Sequence, residues 1–258
     1  MANLMELNLS HPLASEICYF FLLFAVFSVA GWITEVTLKY IQFRRFINRG
    51  FLIGPYCPIY GAGAVLVTLA VHFLAGPDAN CFETFLIGFF FCGALEYLVS
   101  LYMEKVFHAR WWDYSEKPMN VEGRIWIGNL VLFGLGSVII VKLAAPVLFS
   151  LFEKIPRQIL YPVSIFLAVI MASDYVVSHL ITSMVKLVGE SIKADSTEVI
   201  SREVRRILAT KSFLHKRLMD AYPNMQARTV RVQRRLKAER QKLRLRLKEE
   251  RQRFYKRK

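Results

Sequence analysis

Acidic side chains occur inside segments that are otherwise apolar, and they recur at helical spacing. Glu96, Ser100 and Glu104 are four residues apart and therefore share one helical face, as do Asp174 and Ser178 in a later segment. An ionisable group inside a bilayer costs about 2.5 to 3.5 kcal/mol on insertion scales, so these residues are candidates for a functional site. For Asp174 a helix-to-helix hydrogen bond is the favoured interpretation, with a transport or proton role as the alternative.

Glu96 needs a partner more than the other carboxylates do. It lies about eight helical residues, or about 12 Å, inside the predicted end of its segment. An unpaired carboxylate at that depth either takes up a proton or binds a cation, and Arg49 and Arg124 are the candidate cations on the same side. For Arg49 three partners stay open: Glu96, Glu104 or the anionic group of a ligand.

Residues 48–61 read NRGFLIGPYCPIYG and separate two apolar segments. The two prolines limit helix formation and the glycines allow close backbone approach, so the stretch predicts a non-helical segment that is buried against protein. Asn48 and Arg49 would then lie at its rim, with Tyr56 and Tyr60 beyond them.

A second polar stretch, residues 107–124, reads FHARWWDYSEKPMNVEGR. Aromatic anchoring at the membrane interface explains Trp112 but not the polar residues around it. Arginines give bidentate contacts to phosphate, and carboxylates beside them could act as general bases. Together with Glu35 in the first apolar segment, the two stretches predict a polar site at one face of the membrane, whose members are Glu35, Asn48, Arg49, Tyr56, Tyr60, Glu96, Glu104, Trp112, Asp113, Asn120 and Arg124, with Asp174 and Ser178 as intramembrane polar residues.

The elements that position these residues are membrane helices. The chain has 258 residues, 55% of them hydrophobic, and a mean hydropathy of +0.35, which exclude an ordinary soluble domain. Five segments are long and apolar enough to cross about 30 Å of hydrocarbon. We therefore predict an all-α, polytopic bundle of about five transmembrane helices, with spans at about 17–38, 57–75, 82–104, 125–151 and 159–187.

Basic residues in the short connections predict the orientation. The connections after the first and third spans each contain four Lys or Arg residues, whereas the connection after the second span contains none. By the positive-inside rule the amino terminus lies outside the cell membrane and the carboxyl terminus in the cytoplasm. The predicted polar site then faces the cytoplasm.

Charge also divides the chain into two predicted regions. Residues 1–188, the transmembrane domain, carry equal numbers of acidic and basic side chains, so the net charge of +14 comes from the tail, residues 189–258. We expect this tail to be helical or partly disordered. It would be solvated or bind anionic lipid, with nucleic acid a weaker alternative because no recognised motif accompanies the charge.

The sequence contains no nucleophile motif, metal-ligand spacing or cofactor fingerprint. Its four cysteines show no CxxC pattern. No cofactor and no metal are therefore predicted, and whether the chain is an enzyme stays open.

Several blocks resemble a known family in the same order. GWITE (31–35), NRGFLIGPYCPIYG (48–61), ALEYLVSLYMEK (94–105), RWWDYS (110–115) and NVEGRI (120–125) are similar to the ABC-transporter type IV permease family, the CmpB-like membrane proteins. The resemblance covers roughly residues 17–180 and excludes the basic tail. It implies a permease-like subunit with several spans.

Three functions follow as alternatives. A transport subunit would need a separate ATPase, because the sequence lacks the GxxxxGK[ST] phosphate-binding loop, and a homo-oligomer is expected since five helices are few for a translocation path. An intramembrane enzyme acting on a lipid or lipid-linked substrate would use the arginine and carboxylate cluster. A membrane scaffold or regulatory protein would use the tail.

Overall fold

The computed structural model describes residues 13–194, 196–230, 232, 234, 235, 238 and 241. Most of the described chain is helical. The helices are α1 Leu13–Phe43, α2 Pro58–Leu74, α3 Cys81–Phe107, α4 Ile127–Ile139, α5 Ala145–Glu153, α6 Arg157–Ser191, α7 Thr197–Lys211 and α8 Phe213–Ala221, with a π-helical turn, Ile140–Ala144, between α4 and α5. The strands are two residues each: β1 Ala109–Arg110, β2 Asn120–Val121, β3 Ile125–Trp126 and β4 Gln226–Ala227.

The membrane helices confirm the predicted fold class. Four segments of the described chain are long and apolar enough to cross a membrane: Leu13–Phe43, Cys81–Phe107, Ile127–Glu153 and Arg157–Ser191. The second predicted span is the apolar helix α2, whose 17 residues extend only about 25 Å. The protein is a helical membrane bundle.

Local sequence explains where these helices begin and bend. Proline opens α2 at Pro58, because its fixed φ suits the first turn and its missing N–H would be unpaired there. A capping box opens α3, in which Asn80 accepts from the Glu83 backbone and the Glu83 carboxylate accepts from the Asn80 backbone. The π-helical turn precedes Pro146, which cannot donate to the preceding turn.

Within the bundle, α1 packs against α2 and α6, and α3 packs against α2 and α4. Gly61 marks the closest approach of α1 and α2, because a Cβ there would collide with the Phe24 carbonyl oxygen. At the opposite end from the polar connections, Ser15 of α1 bonds to the Tyr161 hydroxyl of α6 at 2.8 Å. These contacts fix the relative positions of the spans that carry the polar residues.

The first part of the tail packs on the bundle. Buried residues of α7 and α8, among them Ile200, Leu208 and Leu218, join Phe107 of α3 and Val185 of α6 in one hydrophobic core. This is possible because α6 has 35 residues and extends about 52 Å, well beyond the hydrocarbon. The predicted boundary at residue 188 stays a prediction, and most of the basic run from 226 to 258 lies outside the described residues.

Candidate functional site

Three polar segments meet at one end of the bundle: the connection 44–57, the connection 108–126 and the tail segment 192–230. Strand β1 pairs antiparallel with β4, which joins the second connection to the tail. Arg217 of α8 donates to the carbonyl oxygens of Gly50, at 3.2 Å, and of Leu52 in the first connection. The polar residues described below lie on five helices, α1 to α4 and α6, on these two connections and on the tail.

Connection 44–57 is non-helical and partly buried, as its prolines and glycines predict. Leu52 and Cys57 are almost inaccessible. Asn48 holds the segment in shape, because its side-chain oxygen accepts from Trp32 Nε1 at 2.7 Å and its amide donates to the Ile53 carbonyl at 3.0 Å. Asn48 is thus a structural residue of the loop.

Asp174 satisfies the backbone of this connection from α6. Its Oδ1 accepts from the backbone N–H of Ile53 at 2.9 Å and from the Ser178 hydroxyl at 2.8 Å. Its Oδ2 accepts from the Gly54 backbone N–H and the Tyr56 hydroxyl, both at 2.7 Å. Non-helical backbone at membrane depth requires such partners. The contacts of Asp174, Ser178 and Tyr56 therefore fit a structural role. The hydrogen bonds of Asp174 go mainly to connection 44–57, whereas the sequence favoured a bond to another helix.

Arg49 pairs with Glu35, which is not among the three partners that the sequence left open. Its Nε lies 3.4 Å from Oε2 of Glu35. The guanidinium also donates to the carbonyl oxygen of Ala221 and lies 5.2 Å from the centre of the Tyr222 ring. Its other contacts come from the tail, whose packing the sequence pattern did not reveal.

Glu104 is the centre of a second charge cluster. Its Oε2 lies 2.9 Å from Nη2 of Arg124 and 3.3 Å from Nε of Arg110, and both arginines are buried. Arg124 also donates to the Ser100 hydroxyl at 3.1 Å. Arg110 reaches Oδ1 of Asp113 at 3.4 Å. These buried charges are compensated within the protein, as buried ion pairs require.

Connection 108–126 is held by its own polar side chains. Asp113 accepts from the Ser115 backbone at 3.0 Å and from Gln226 of β4 at 3.2 Å. Burial raises the pKa of Asp113, but the hydrogen bonds from Ser115, the charge of Arg110 and the bond from Gln226 outweigh it, so the pKa lies below its usual range. Asn120 accepts from the Gly123 backbone N–H at 2.9 Å.

The indole of Trp112 also holds this connection. Trp112 donates to the Arg124 carbonyl oxygen at 3.1 Å. The indole N–H therefore has a hydrogen-bond acceptor within the protein, so anchoring at the membrane interface alone does not account for Trp112.

Glu96 has a different environment. The residue is only 7% exposed, yet its contacts among the described residues are neutral and long: Asn129 Nδ2 at 3.1 Å from Oε1 and 3.5 Å from Oε2, and the Tyr114 hydroxyl at 3.4 Å. Neither Arg49 nor Arg124 is its ion-pair partner in the described chain. A buried carboxylate without a cation is costly.

Two tyrosines bind the two carboxylates separately, Tyr60 to Glu35 and Tyr114 to Glu96. Tyr60 donates to Oε1 of Glu35 at 2.8 Å. Tyr114 lies between the carboxylates in electrostatic terms: burial raises its pKa, and the negative charges of Glu96 and, to a smaller degree, Glu35 raise it further, while the bond with Asn129 opposes them. Glu35, Tyr60, Glu96, Tyr114 and Asn129 form what we call the carboxylate site.

Sequence reasoning missed five residues of this end: Arg110, Tyr114, Asn129, Arg217 and Tyr222. Tyr114 belongs to the block RWWDYS, and Asn129 is a lone amide near the start of an apolar segment, so both carried a signal. Arg217 and Tyr222 carried none, because only tertiary packing brings the tail to the first connection.

Within the described residues, no group of three or more His, Cys, Asp or Glu side chains could hold a metal ion. The four cysteines are free thiols.

Comparison with known proteins identifies the family. No curated protein and no solved structure matches the chain. The profile of the family described as "Putative ABC-transporter type IV" matches residues 22–179, which include both polar connections, all of α2 to α5 and most of α1 and α6. The chain belongs to this ABC-transporter type IV family of membrane proteins.

Proposed function

We propose that the chain is the membrane subunit of an ABC-type transporter and that a separate chain supplies ATP hydrolysis. Family membership and the apolar helices support the permease-like role. The sequence has no GxxxxGK[ST] loop, so a partner ATPase would bind the nucleotide. Five spans are few for a translocation path, and we expect more than one copy of the subunit in the assembly.

One observation connects the proposed transport to particular residues: the Glu96 carboxylate has few hydrogen bonds and no cation among the described residues. Asp174 receives four hydrogen bonds of 2.7 to 2.9 Å on its two oxygens. Glu96 receives only bonds of 3.1 to 3.5 Å, from two neutral side chains of the described chain. The half-buried Asp174 thus has short hydrogen bonds to both oxygens, whereas the more deeply buried Glu96 has fewer partners at longer distances.

An under-compensated carboxylate accepts a proton or a cationic group when one arrives. We place the transported solute, or a proton that accompanies it, at the carboxylate site. Tyr114 and Asn129 would orient the Glu96 carboxylate, and Glu35 with Tyr60 would form the other wall. Asn48, Tyr56, Asp174 and Ser178 would support the site by fixing connection 44–57.

We further propose that the protein lies in the plasma membrane and that this end of the bundle faces the cytoplasm. The positive-inside count supports this orientation, since the connections 44–57 and 108–126 carry the basic residues. The described part of the tail, residues 196–230, lies at the same end, so a partner ATPase in the cytoplasm could reach it.

The test is purification from native membranes followed by reconstitution. We expect an ATPase chain to accompany the protein in mild detergent and solute flux to fall in Glu96→Gln, which keeps the shape and removes the charge. Glu83→Gln is the matched control, because Gln serves equally in a capping box at the other end of α3. Absence of any ATPase, together with unchanged flux in Glu96→Gln, would overturn the proposal.

The lipid enzyme stays an alternative, but no described contact favours it over transport. Its anionic substrate would need free guanidinium donors next to the carboxylates of the site. Those of Arg49, Arg110 and Arg124 are directed at Glu35, Glu104, Asp113 and backbone carbonyls. The scaffold alternative depends on the tail, most of whose basic residues lie outside the described chain.

A further inference from the structure

The carboxyl end of α1 presents two arginines whose side chains have no partner in the part of the chain that the structure describes. Arg44 and Arg45 follow directly after α1, and both are exposed. Neither side chain has a hydrogen-bond, ion-pair or ring partner among the described residues. Arginine stays charged at any physiological pH, so these are two permanent, uncompensated cations.

Other arginines at this end differ in that respect. Arg49, Arg110 and Arg124 pair with carboxylates, and Arg205 and Arg217 donate to backbone carbonyls. Lys39, one turn before the end of α1, donates to Gln42 and lies 5.5 Å from the centre of the Phe43 ring. Internal partners therefore account for these neighbouring cations but not for Arg44 and Arg45.

Exposed apolar side chains flank the pair. Ile41, Phe43 and Phe46 are 62%, 44% and 65% exposed, and the Phe46 ring lies 6.3 Å from that of Trp32. Because the predicted first span ends at about residue 38, we expect these side chains to lie near headgroup level. Arg44 adopts a left-handed conformation, φ 54°, which ends the helix.

We propose that Arg44 and Arg45 bind the phosphate groups of anionic phospholipids, while Phe43 and Phe46 insert among the adjoining acyl chains. Charge complementarity identifies the occupant: two uncompensated cations at headgroup level, next to an apolar surface, match a lipid that has a net negative charge and a hydrocarbon tail. The pair is separate from the carboxylate site and does not depend on the transport proposal.

Native mass spectrometry of the full chain tests the proposal. The protein is released from mixed micelles containing equal amounts of phosphatidylglycerol and phosphatidylcholine, and retained lipids are counted. We expect phosphatidylglycerol to be retained preferentially. Arg44→Gln with Arg45→Gln should lower that preference by about 30-fold, or about 5-fold for each arginine, and added salt should weaken it.

The control is Arg202→Gln with Lys216→Gln, which removes two exposed cations from α7 and α8. The tail is present in every variant, so the difference between the two pairs reports on Arg44 and Arg45. Arg44→Gly provides a second check, since glycine suits the left-handed conformation and should keep or raise the thermal stability while the lipid preference falls. Equal retention of the two lipids, or an equal loss in the control pair, would overturn the proposal.

Discussion

The hydroxyl of Tyr56 donates a 2.7 Å hydrogen bond to Oδ2 of Asp174, a residue 118 positions later in the sequence. The bond joins the connection after α1 to the middle of α6. The same carboxylate accepts from the backbone of Ile53 and Gly54, so one side chain of α6 satisfies a stretch of chain that has no secondary structure. Helix α6 is therefore a structural support for connection 44–57.

Removal of this carboxylate should destabilise the protein. Asp174→Ala leaves two backbone N–H groups and the Tyr56 hydroxyl without an acceptor, and we expect the free energy of unfolding to fall by roughly 2 to 4 kcal/mol. Thermal unfolding in detergent measures the change, and it is monitored by the loss of the monodisperse peak on size exclusion.

Two serines on the same helix provide the control for Asp174. Ser178 donates to Asp174, whereas the hydroxyl of Ser164 is buried without a partner among the described residues. Ser178→Ala should cost about 1 kcal/mol and Ser164→Ala should cost nothing or stabilise, because an unpaired buried hydroxyl is unfavourable. Equal stability of the Asp174→Ala and Ser164→Ala variants would contradict the assigned role.

The Glu104 cluster predicts that loss of a buried ion pair lowers the free energy of unfolding more than loss of an exposed one. Glu104→Gln leaves Arg110 and Arg124 buried without the anion that they share, and we expect a loss of about 3 to 5 kcal/mol. Arg206→Gln, which breaks the exposed pair with Glu203, should cost less than about 1 kcal/mol. Thermal unfolding of both variants in the same detergent checks this, and similar losses would show that the Glu104 cluster is not buried in solution.

Hydropathy predicted the fold because lipid allows few alternatives. In hydrocarbon a chain must satisfy its backbone within each segment, so apolar length alone located the spans. The helices differ from the predicted spans mainly at their ends, as with α6, which extends from Arg157 to Ser191 because it continues beyond the bilayer to carry α7. Hydropathy does not distinguish the part of α6 that faces lipid from the part that packs against the tail, such as Val185, because both are apolar.

The sequence indicated many of the polar residues that lie together at this end of the bundle, but not how they pair. Residue types and helical spacing marked Glu35, Glu96 and Glu104 as unusual. The cation that pairs with each of these carboxylates depends on the rotation of the helices and on the packing of the tail. Residue spacing in the sequence specifies neither. Arg49 thus pairs with Glu35, and Glu96 meets Asn129, an amide that hydropathy alone treats as a small interruption of an apolar segment.

Thiol reactivity should depend on pH and on folding at Cys57. Burial raises the pKa of this thiol to about 12, with the charge of Glu35 acting in the same direction and Arg49 and Arg217 opposing it. Because the thiolate is the nucleophile, alkylation by iodoacetamide should be very slow at pH 8 and rise about tenfold per pH unit. After unfolding, the thiol approaches its ordinary pKa of about 8.5 and should react readily. Rapid labelling of folded Cys57 at pH 8, read by peptide mass spectrometry, would contradict the burial.

Cys81 tests the proposed orientation of the bundle. It is exposed at the start of α3, at the opposite end from connection 44–57, and our orientation places it outside the cell. A membrane-impermeant maleimide applied to intact cells should label Cys81 in a variant whose other three cysteines are replaced by alanine. Lys105→Cys in the same background, at the other end of α3, should react only after the membrane is permeabilised. Labelling with the opposite preference would reverse the orientation and place the carboxylate site on the outer side.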